Sequence, residues 1–244
     1  MVIVKDQLDP DLRIIIKKQK KPVIIPVGSI EQHGPHLPVS TDSDIVTEIA
    51  RRVSEKCNFF LLPTISYGVS FEHAPFFNLS VKEKTLEKIL IDICISLSAN
   101  RINSIFIING HHGNQKSLEN LSKKINQISK NKIKVFVFSY WHFMKHEFDH
   151  AGFVETSIML EISKKVKMSR AKKGLVTKNF SEKEKSRLGK LATKSFPSVT
   201  KNGVWGDPTE STAKDGRKFI DEIVRNLAKK SQTCLTDKSR KLHH

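Results

Sequence analysis

The chain has 244 residues, of which 38% are hydrophobic and 27% are charged, and its formal net charge is +17. This balance is typical of a folded globular protein and excludes an intrinsically disordered chain. No apolar run approaches the ~20 residues that span a bilayer, so we expect no contact with a membrane.

The cysteines and the first residues indicate the compartment. Three scattered cysteines are an odd number, which does not suit a disulfide framework. The segment Met1 to Asp6 lacks the apolar stretch of a signal peptide, so we expect a cytoplasmic protein. Because no linker or repeat divides the chain, we predict one domain over residues 1–235 and a C-terminal tail over residues 236–244.

The first predicted element is a buried strand over residues 22–28, which ends in a loop rich in glycine and proline. In this loop Glu31 and His33 are two residues apart, so an extended backbone directs both side chains to the same side. Asp42 follows at the start of a predicted helix and is either an N-terminal cap or a metal ligand. Carboxylates and imidazoles at the end of a strand suit Zn, Mn or Fe(II). The helix is predicted from an apolar stripe at helical spacing, formed by Ile45, Ile49 and Val53.

A second strand is predicted over residues 59–62, before a loop that contains Glu72 and His73. These two side chains either line a pocket or belong to a surface or an interface between subunits. Apolar patterns then predict a helix, a strand, a helix and a strand, in that order, over residues 86–97, 104–108, 118–128 and 133–140.

Polar residues also follow the two later strands. The neighbours His111 and His112 point to opposite sides, so we expect one of them to be a ligand rather than both. Glu155 lies near the start of another predicted helix, where a carboxylate is either a ligand or a first-turn charge. The carboxyl ends of parallel strands meet at one edge of an α/β sheet, so we expect these polar stretches to form one site.

The last third of the chain is less regular. Much of the positive charge lies between Lys164 and Lys194, where the acids are Glu182 and Glu184. This segment is either a solvated surface or a field that favours an anionic, phosphorylated substrate. No nucleic-acid-binding motif occurs in it, so we do not expect a nucleic-acid partner. Residues 164–200 are too weakly periodic to predict an element, whereas a final helix is predicted around residues 219–227.

Four stretches of this sequence resemble the creatininase family of metal-dependent amide hydrolases. They are GSIEQHGPHLP with the following TD, then NGHHGN, HAGFVETS and GVWGDPT, and they span about residues 22 to 216 in consistent order. The resemblance implies a single three-layer α/β domain with a mostly parallel sheet flanked by helices. It also implies a homo-oligomer, commonly a hexamer.

The resemblance further implies two divalent metal ions per chain, with Zn, Mn and Fe(II) all acceptable. Asp42 would bridge them, with Glu31 and His111 completing one site and His33 and Glu155 the other. Catalytic roles would belong to Glu155 and to His150, which would carry a proton to the departing nitrogen. Alternatively, His150 orients the helix of Glu155 or faces solvent.

Two departures from the family pattern concern the substrate. Gly113 stands where creatinine-hydrolysing members have a glutamate ligand, which argues against creatinine and leaves the second metal short of a ligand. Residues 76–79 read Phe-Phe-Asn-Leu in place of the usual Phe-Pro-Gly-Thr turn. Substrate contacts are expected from Glu72, His73, His112 and Trp141, although an aromatic residue at a strand end also serves simple packing.

The implied activity is hydrolysis of a small-molecule C–N amide bond by a metal-activated water. Within the family we predict deformylation of a formylamino-pyrimidine ribonucleotide, a step in flavin (riboflavin) and deazaflavin biosynthesis, since the basic charge suits a phosphate. Creatinine hydrolysis and cleavage of a short modified peptide are the alternatives of the same class. A non-catalytic metal- or nucleic-acid-binding protein is the alternative of another class, and a family member without activity is a third.

Overall fold

A parallel five-stranded sheet forms the middle layer of the computed structural model, which describes residues 1–236. The two central strands, β2 and β4, pair in register from Val23 opposite Ile105 to Val27 opposite Asn109. They are almost continuously apolar and buried, as expected for parallel strands covered on both faces. In the order β1-β3-β2-β4-β5, the strands of the sheet are β1 Val2–Ile3, β3 Phe60–Leu61, β2 Val23–Val27, β4 Ser104–Asn109 and β5 Lys134–Ser139.

Helices cover both faces of the sheet. Their bounds are α1 Asp9–Gln19, α2 Thr41–Cys57, α3 Glu83–Ala99, α4 Gln115–Leu118, α5 Leu121–Ile128, α6 Phe153–Ile162, α7 Glu182–Ala192 and α8 Ala213–Thr236. Alternate residues of each strand enter two separate cores. Ile24 and Phe106 pack with α2, α6 and α8, whereas Ile25 and Ile107 pack with α1, α3 and α5 on the other face.

The predicted fold class is confirmed, since the domain has three layers and a parallel sheet. Several elements differ from the prediction. The sequence did not indicate β1, α1 or α7, because β1 has two residues and both helices are mostly exposed. The helix predicted over residues 118–128 is interrupted between α4 and α5.

The C-terminal end of the last helix bears on the predicted tail. Thr236 is the last residue of α8, and residues 237–244 of the predicted tail lie outside the described part of the chain. The domain boundary at residue 235 therefore stays a prediction. Within residues 1–236, no helix combines the length and the apolar character needed to cross a bilayer.

Candidate metal centre

Five ionisable side chains converge at the carboxyl edge of the sheet. Glu31 and His33 lie in the loop after β2, His111 follows β4, and Asp42 and Glu155 lie in the first turns of α2 and α6. All five are buried, none exceeding 4% exposure. Burial of charged groups is expensive unless they are paired or coordinate a cation. Their convergence therefore indicates a site rather than a chance cluster.

The five side chains form two groups that share Asp42. In each group the candidate ligand atoms lie within 4.8 Å of one another, and the groups are Glu31, Asp42 and His111, and His33, Asp42 and Glu155. Asp42 directs one oxygen to each side, with Oδ2 lying 2.8 Å from Nδ1 of His111 and Oδ1 lying 3.2 Å from Nε2 of His33. This arrangement matches the two sites that the family resemblance implies, while the role of each residue as a ligand stays a prediction.

Unpartnered polar atoms at this site fit a divalent cation. Both carboxylate oxygens of Glu31 are buried and make no hydrogen bond to the described residues. A buried polar atom without a partner costs free energy, so it requires an explanation. Carboxylate oxygens and imidazole nitrogens are ligands that Zn, Mn and Fe(II) accept. The residues present therefore fit a metal ion of this class.

Backbone carbonyl groups orient the two imidazoles. Nε2 of His111 lies 2.8 Å from the carbonyl oxygen of Val69, so it donates its hydrogen there and leaves Nδ1 facing Asp42. Nδ1 of His33 lies 3.1 Å from the carbonyl oxygen of Glu31, which leaves Nε2 facing Asp42. Hydrogen bonds of this kind fix the tautomer and ring orientation of metal-binding histidines.

The pKa values reflect burial and mutual attraction. Burial raises the pKa of Glu155 to about 8 and holds that of Glu31 well above its usual value. Burial opposes ionisation of Asp42, but His33 and His111 outweigh it and hold the pKa of Asp42 below its usual range. Burial disfavours the charged form of His111, yet Asp42 and Glu31 raise its pKa to about 9. Without a cation Glu31, Glu155 and His111 retain protons, which a divalent metal would displace.

His150 lies beside the two groups and forms a third candidate group with Glu31 and His33. Its ring is 4.3 Å from the ring of His33, and its Nδ1 is 3.8 Å from Oε1 of Glu31. Burial lowers the pKa of His150 well below its usual value, with a smaller contribution from His33. His150 is therefore neutral at physiological pH and able to take part in proton transfer.

Gln32, which the sequence did not single out, connects two histidines. Its amide nitrogen lies 3.0 Å from Nδ1 of His73 and 3.0 Å from Nε2 of His150. Its amide oxygen accepts a hydrogen bond of 2.9 Å from the backbone N–H of Gly34, which fixes the orientation of the amide group. In the sequence, the position of Gln32 between Glu31 and His33 was the signal that could have identified it.

Three further groups hold Glu155 in place. Its Oε2 accepts a hydrogen bond of 2.7 Å from the backbone N–H of Ala151, and the hydroxyl of Tyr140 lies 3.4 Å from its Oε1. Asp149 accepts hydrogen bonds from the N–H groups of Val154 and Glu155 at the start of α6. Tyr140 and Asp149 are thus supporting residues that the sequence did not reveal, although Asp149 shortly before a helix is a capping signal.

The predicted substrate contacts have different surroundings. Glu72, His73 and His112 line a cavity of about 270 Å³ beside the two groups. Trp141 is not in the lining of this cavity: it is 8% exposed and packs in the core against Phe148, at a ring distance of 4.7 Å. The packing alternative therefore describes Trp141, while its ring lies 6.1 Å from that of His112 and supports it from behind.

The geometry around Gly113 explains why this position lacks a side chain. A Cβ atom at Gly113 would lie 2.5 Å from Oε1 of Glu72 and 2.2 Å from the carbonyl oxygen of Val69. The carboxylate of Glu72 thus occupies the space that a side chain at position 113 would need. Burial raises the pKa of Glu72.

The lysine-rich segment covers the site. We define the cover segment as residues 182–198, which include α7 and Phe196. The ring of Phe196 lies 4.7 Å from that of His73 and 4.7 Å from that of His150. From the cover segment the cavity is lined by Lys185, Gly189, Ala192, Thr193 and Phe196. The part of the sequence that predicted no element therefore shields the site from solvent.

Comparisons with known proteins agree with this architecture. A family model described as Creatininase, creatinine amidohydrolase, matches residues 9–230. The mycofactocin precursor peptide peptidase of Mycobacterium ulcerans is 31% identical over 218 residues, which are 83% of this chain and 81% of that protein. The 2-amino-5-formylamino-6-ribosylaminopyrimidin-4(3H)-one 5'-monophosphate deformylase of Methanosphaera stadtmanae is 30% identical over 102 residues, or 41% of this chain and 44% of that protein.

Solved structures share the fold. A crystal structure of creatinine amidohydrolase superposes with a TM-score of 0.83 at 20% identity, covering 97% of this chain and 99% of that chain. Two further creatininase structures, described as a Zn–Zn type and as an Mn form, superpose with TM-scores of 0.80 and 0.81 over 96% of this chain at 20% identity. The match covers 98% of the Zn–Zn structure's own chain and 99% of the Mn structure's own chain.

Proposed function

The chain belongs to the creatininase family, and from this premise we propose that it is a metal-dependent amidohydrolase that cleaves an amide bond in a short or modified peptide. The observation that carries the proposal is the pair of buried groups that share Asp42 at the base of a covered cavity. The peptide substrate is supported by the relative named as a peptide peptidase, whose similarity extends over 83% of this chain.

In this proposal Glu31, Asp42 and His111 hold one divalent ion, and His33, Asp42 and Glu155 hold the other. A divalent ion supplies Lewis acidity, which polarises an amide carbonyl and acidifies water near neutral pH. Zinc and manganese are the first candidates, because creatininase structures with these metals share the fold. The predicted Fe(II) also suits the ligands.

The protein's own groups transfer the proton and exclude water. His150 is neutral and lines the cavity, so it accepts a proton from the attacking water and passes it to the departing nitrogen. Nε2 of His150 donates to the backbone carbonyl oxygen of Gln32 at 3.1 Å, which leaves Nδ1 unprotonated and facing Glu31. Phe196 covers His73 and His150 and keeps bulk water away from them.

The cations near the site argue against a phosphorylated substrate. Among residues 1–236, Lys185 is the one lysine in the cavity lining, and its Nζ is already 3.4 Å from Glu147 and 3.1 Å from Glu182. An adjoining cavity of about 720 Å³ contains Lys116, which pairs with Glu83 at 3.0 Å. Deformylation of a nucleotide, our prediction from the sequence, is supported by a relative over 41% of this chain and becomes the second candidate.

The test combines metal analysis with turnover. Purified protein and its Asp42→Asn variant are compared for bound metal and for hydrolysis of blocked dipeptides, creatinine and a formylamino-pyrimidine nucleotide. We expect metal-dependent peptide hydrolysis that a chelator abolishes and that falls at least ~100-fold in Asp42→Asn. Asp44→Asn is the matched control, because Asp44 lies in the same helix turn and outside both groups.

Three results would contradict the proposal in different ways. Release of formate without peptide cleavage would establish the second candidate instead. Bound metal with no hydrolysis of any of these substrates would refute the catalytic role. An equal loss in Asp42→Asn and Asp44→Asn would attribute the effect to the start of α2 and not to the metal site.

A further inference from the structure

Gly189 occupies a position in α7 that does not require glycine. It lies in the middle of the helix Glu182–Ala192, where glycine is among the least favourable residues. A Cβ atom at Gly189 would meet no atom of the described residues within 4 Å, whereas a Cβ at Gly110 or Gly113 would meet neighbouring atoms at less than 3 Å. Neither packing nor backbone geometry explains the absence of a side chain at position 189.

The face of α7 on which Gly189 lies suggests why this position has no side chain. Lys185, Gly189 and Ala192 are spaced by four and three residues, so they share one face of α7, and all three line the cavity over the two ligand groups. A side chain at position 189 would therefore extend into this cavity. We propose that Gly189 determines specificity by leaving room for a bulky apolar substituent next to the amide bond that is cleaved. The inference rests on the amidohydrolase function proposed above.

The cavity walls define the chemistry of this substituent. Phe148, Phe196 and Trp205 contribute aromatic rings to the lining, and Ala192 adds a small apolar group. Aromatic and aliphatic walls favour an apolar occupant. The charged groups Glu147 and Lys185 pair with each other, so they do not require an ionic substituent. A peptide residue with an aromatic or branched aliphatic side chain meets these conditions.

The experiment measures affinity and does not depend on turnover. Glycine hydroxamate and phenylalanine hydroxamate, which chelate divalent metals, are titrated by calorimetry into the zinc-loaded protein and its variants. We expect Gly189→Leu to weaken the binding of phenylalanine hydroxamate at least ~10-fold and the binding of glycine hydroxamate less than ~2-fold. Gly189→Ala should bind both compounds with the affinity of the unmodified protein. Arg187→Leu places the same side chain on the opposite, exposed face of α7 and is expected to change neither affinity.

Equal weakening of the two hydroxamates in Gly189→Leu, or no weakening at all, overturns the inference. So does an unmodified protein that binds neither compound. Gly189→Met, with a more flexible side chain, repeats the test if Gly189→Leu unfolds early. Hydrolysis of blocked dipeptides by the unmodified protein is measured in parallel: its absence refutes the peptide substrate, while the ratio of the two hydroxamate affinities still decides the role of Gly189.

Discussion

At the scale of single residues, Asp42 combines two roles that the sequence leaves as alternatives, a charge at the start of a helix and a candidate metal ligand. It lies in the first turn of α2, where the helix dipole favours a carboxylate, yet its side chain faces His33 and His111. The N-cap residue Ser40 makes no side-chain capping hydrogen bond, and the backbone N–H of Thr41 donates to the carbonyl oxygen of Pro38. Asp42 is therefore free to hold a cation while its charge still stabilises the helix.

Gln32 provides a prediction at the same scale. In a Gln32→Met variant, His73 loses the amide donor at its Nδ1 and the amide group beside Nε2 of His150 is removed, so we expect kcat to fall about 10–100-fold. KM and metal content should change little, because Gln32 belongs to neither ligand group. Steady-state kinetics and metal analysis measure these quantities.

Gln127→Met is the control for this variant, since Gln127 is exposed on α5 and distant in sequence from the motifs. A loss of metal together with activity in Gln32→Met would show that Gln32 supports the ligands and not the proton transfer.

The candidate ligands were predictable because they occur in short motifs directly after strands or at the start of a helix. The partners of Gln32 were not, since His73 and His150 lie 41 and 118 residues away from it in sequence. The surroundings of Trp141 were also not predictable from the sequence. Nothing at a strand end tells whether an aromatic ring faces the substrate or packs beneath His112.

At the scale of elements, close packing of the β4 exit against α2 brings His111 to Asp42. A Cβ atom at Gly110 would lie 2.6 Å from Cβ of Val46 and 2.8 Å from the carbonyl oxygen of Asp42. We expect Gly110→Ala to force these elements apart, to lower the free energy of unfolding by ~1–3 kcal/mol and to weaken metal binding. Urea denaturation and metal titration measure the two effects.

Gly189→Ala should have the opposite effect on stability. Its new methyl group meets no neighbour within 4 Å, and replacing glycine in a helix interior contributes up to ~1 kcal/mol. Urea denaturation is again the measurement. A lower stability in this variant would mean that the helix needs glycine at this position for a reason other than space.

The amphipathic helices α2 and α3 could be predicted because their buried residues recur at helical spacing. In α7, by contrast, Ala192 alone is buried, so its apolar periodicity is weak. A capping box formed by Ser181 and Glu184 marks its start, and this local signal would have identified the helix where periodicity could not.

At the scale of the whole molecule, four of the basic residues lie together near the amino ends of the strands. A cavity of about 550 Å³, next to the amino ends of the strands, is lined by Lys17, Lys20, Lys21 and Arg101. These residues lie near the C-termini of α1 and α3, where cations favour the exposed carbonyl groups. The hexamer and the cytoplasmic location implied earlier stay predictions, the first testable by sedimentation.

Metal removal should couple stability to pH. In the metal-free protein the pKa of His111 is raised to about 9 and that of Glu155 to about 8, so the folded state binds protons more tightly than the unfolded chain. Their stabilising effect is therefore lost as pH rises through these values. A bound cation replaces the protons, so we expect the difference in Tm between metal-loaded and metal-free protein to grow from pH 6 to pH 9.

Scanning calorimetry at several pH values measures this difference. The Asp42→Asn variant is the control, because it lacks the residue common to both groups and should show little gain in Tm from added metal. A difference that stays constant or shrinks with rising pH would contradict the proton displacement.

The order of the candidate ligands, the cover segment and α8 along the chain has a consequence for protein synthesis. All five candidate ligands occur between Glu31 and Glu155, whereas the cover segment and α8, which packs against α6, come later. On the ribosome the ligands therefore emerge before the residues that enclose them. A nascent chain that captured a cation at this stage would hold it in contact with the cytosol, open to exchange with competing metals. The metal held by such a chain would then depend on how soon translation of the last third allows the domain to close.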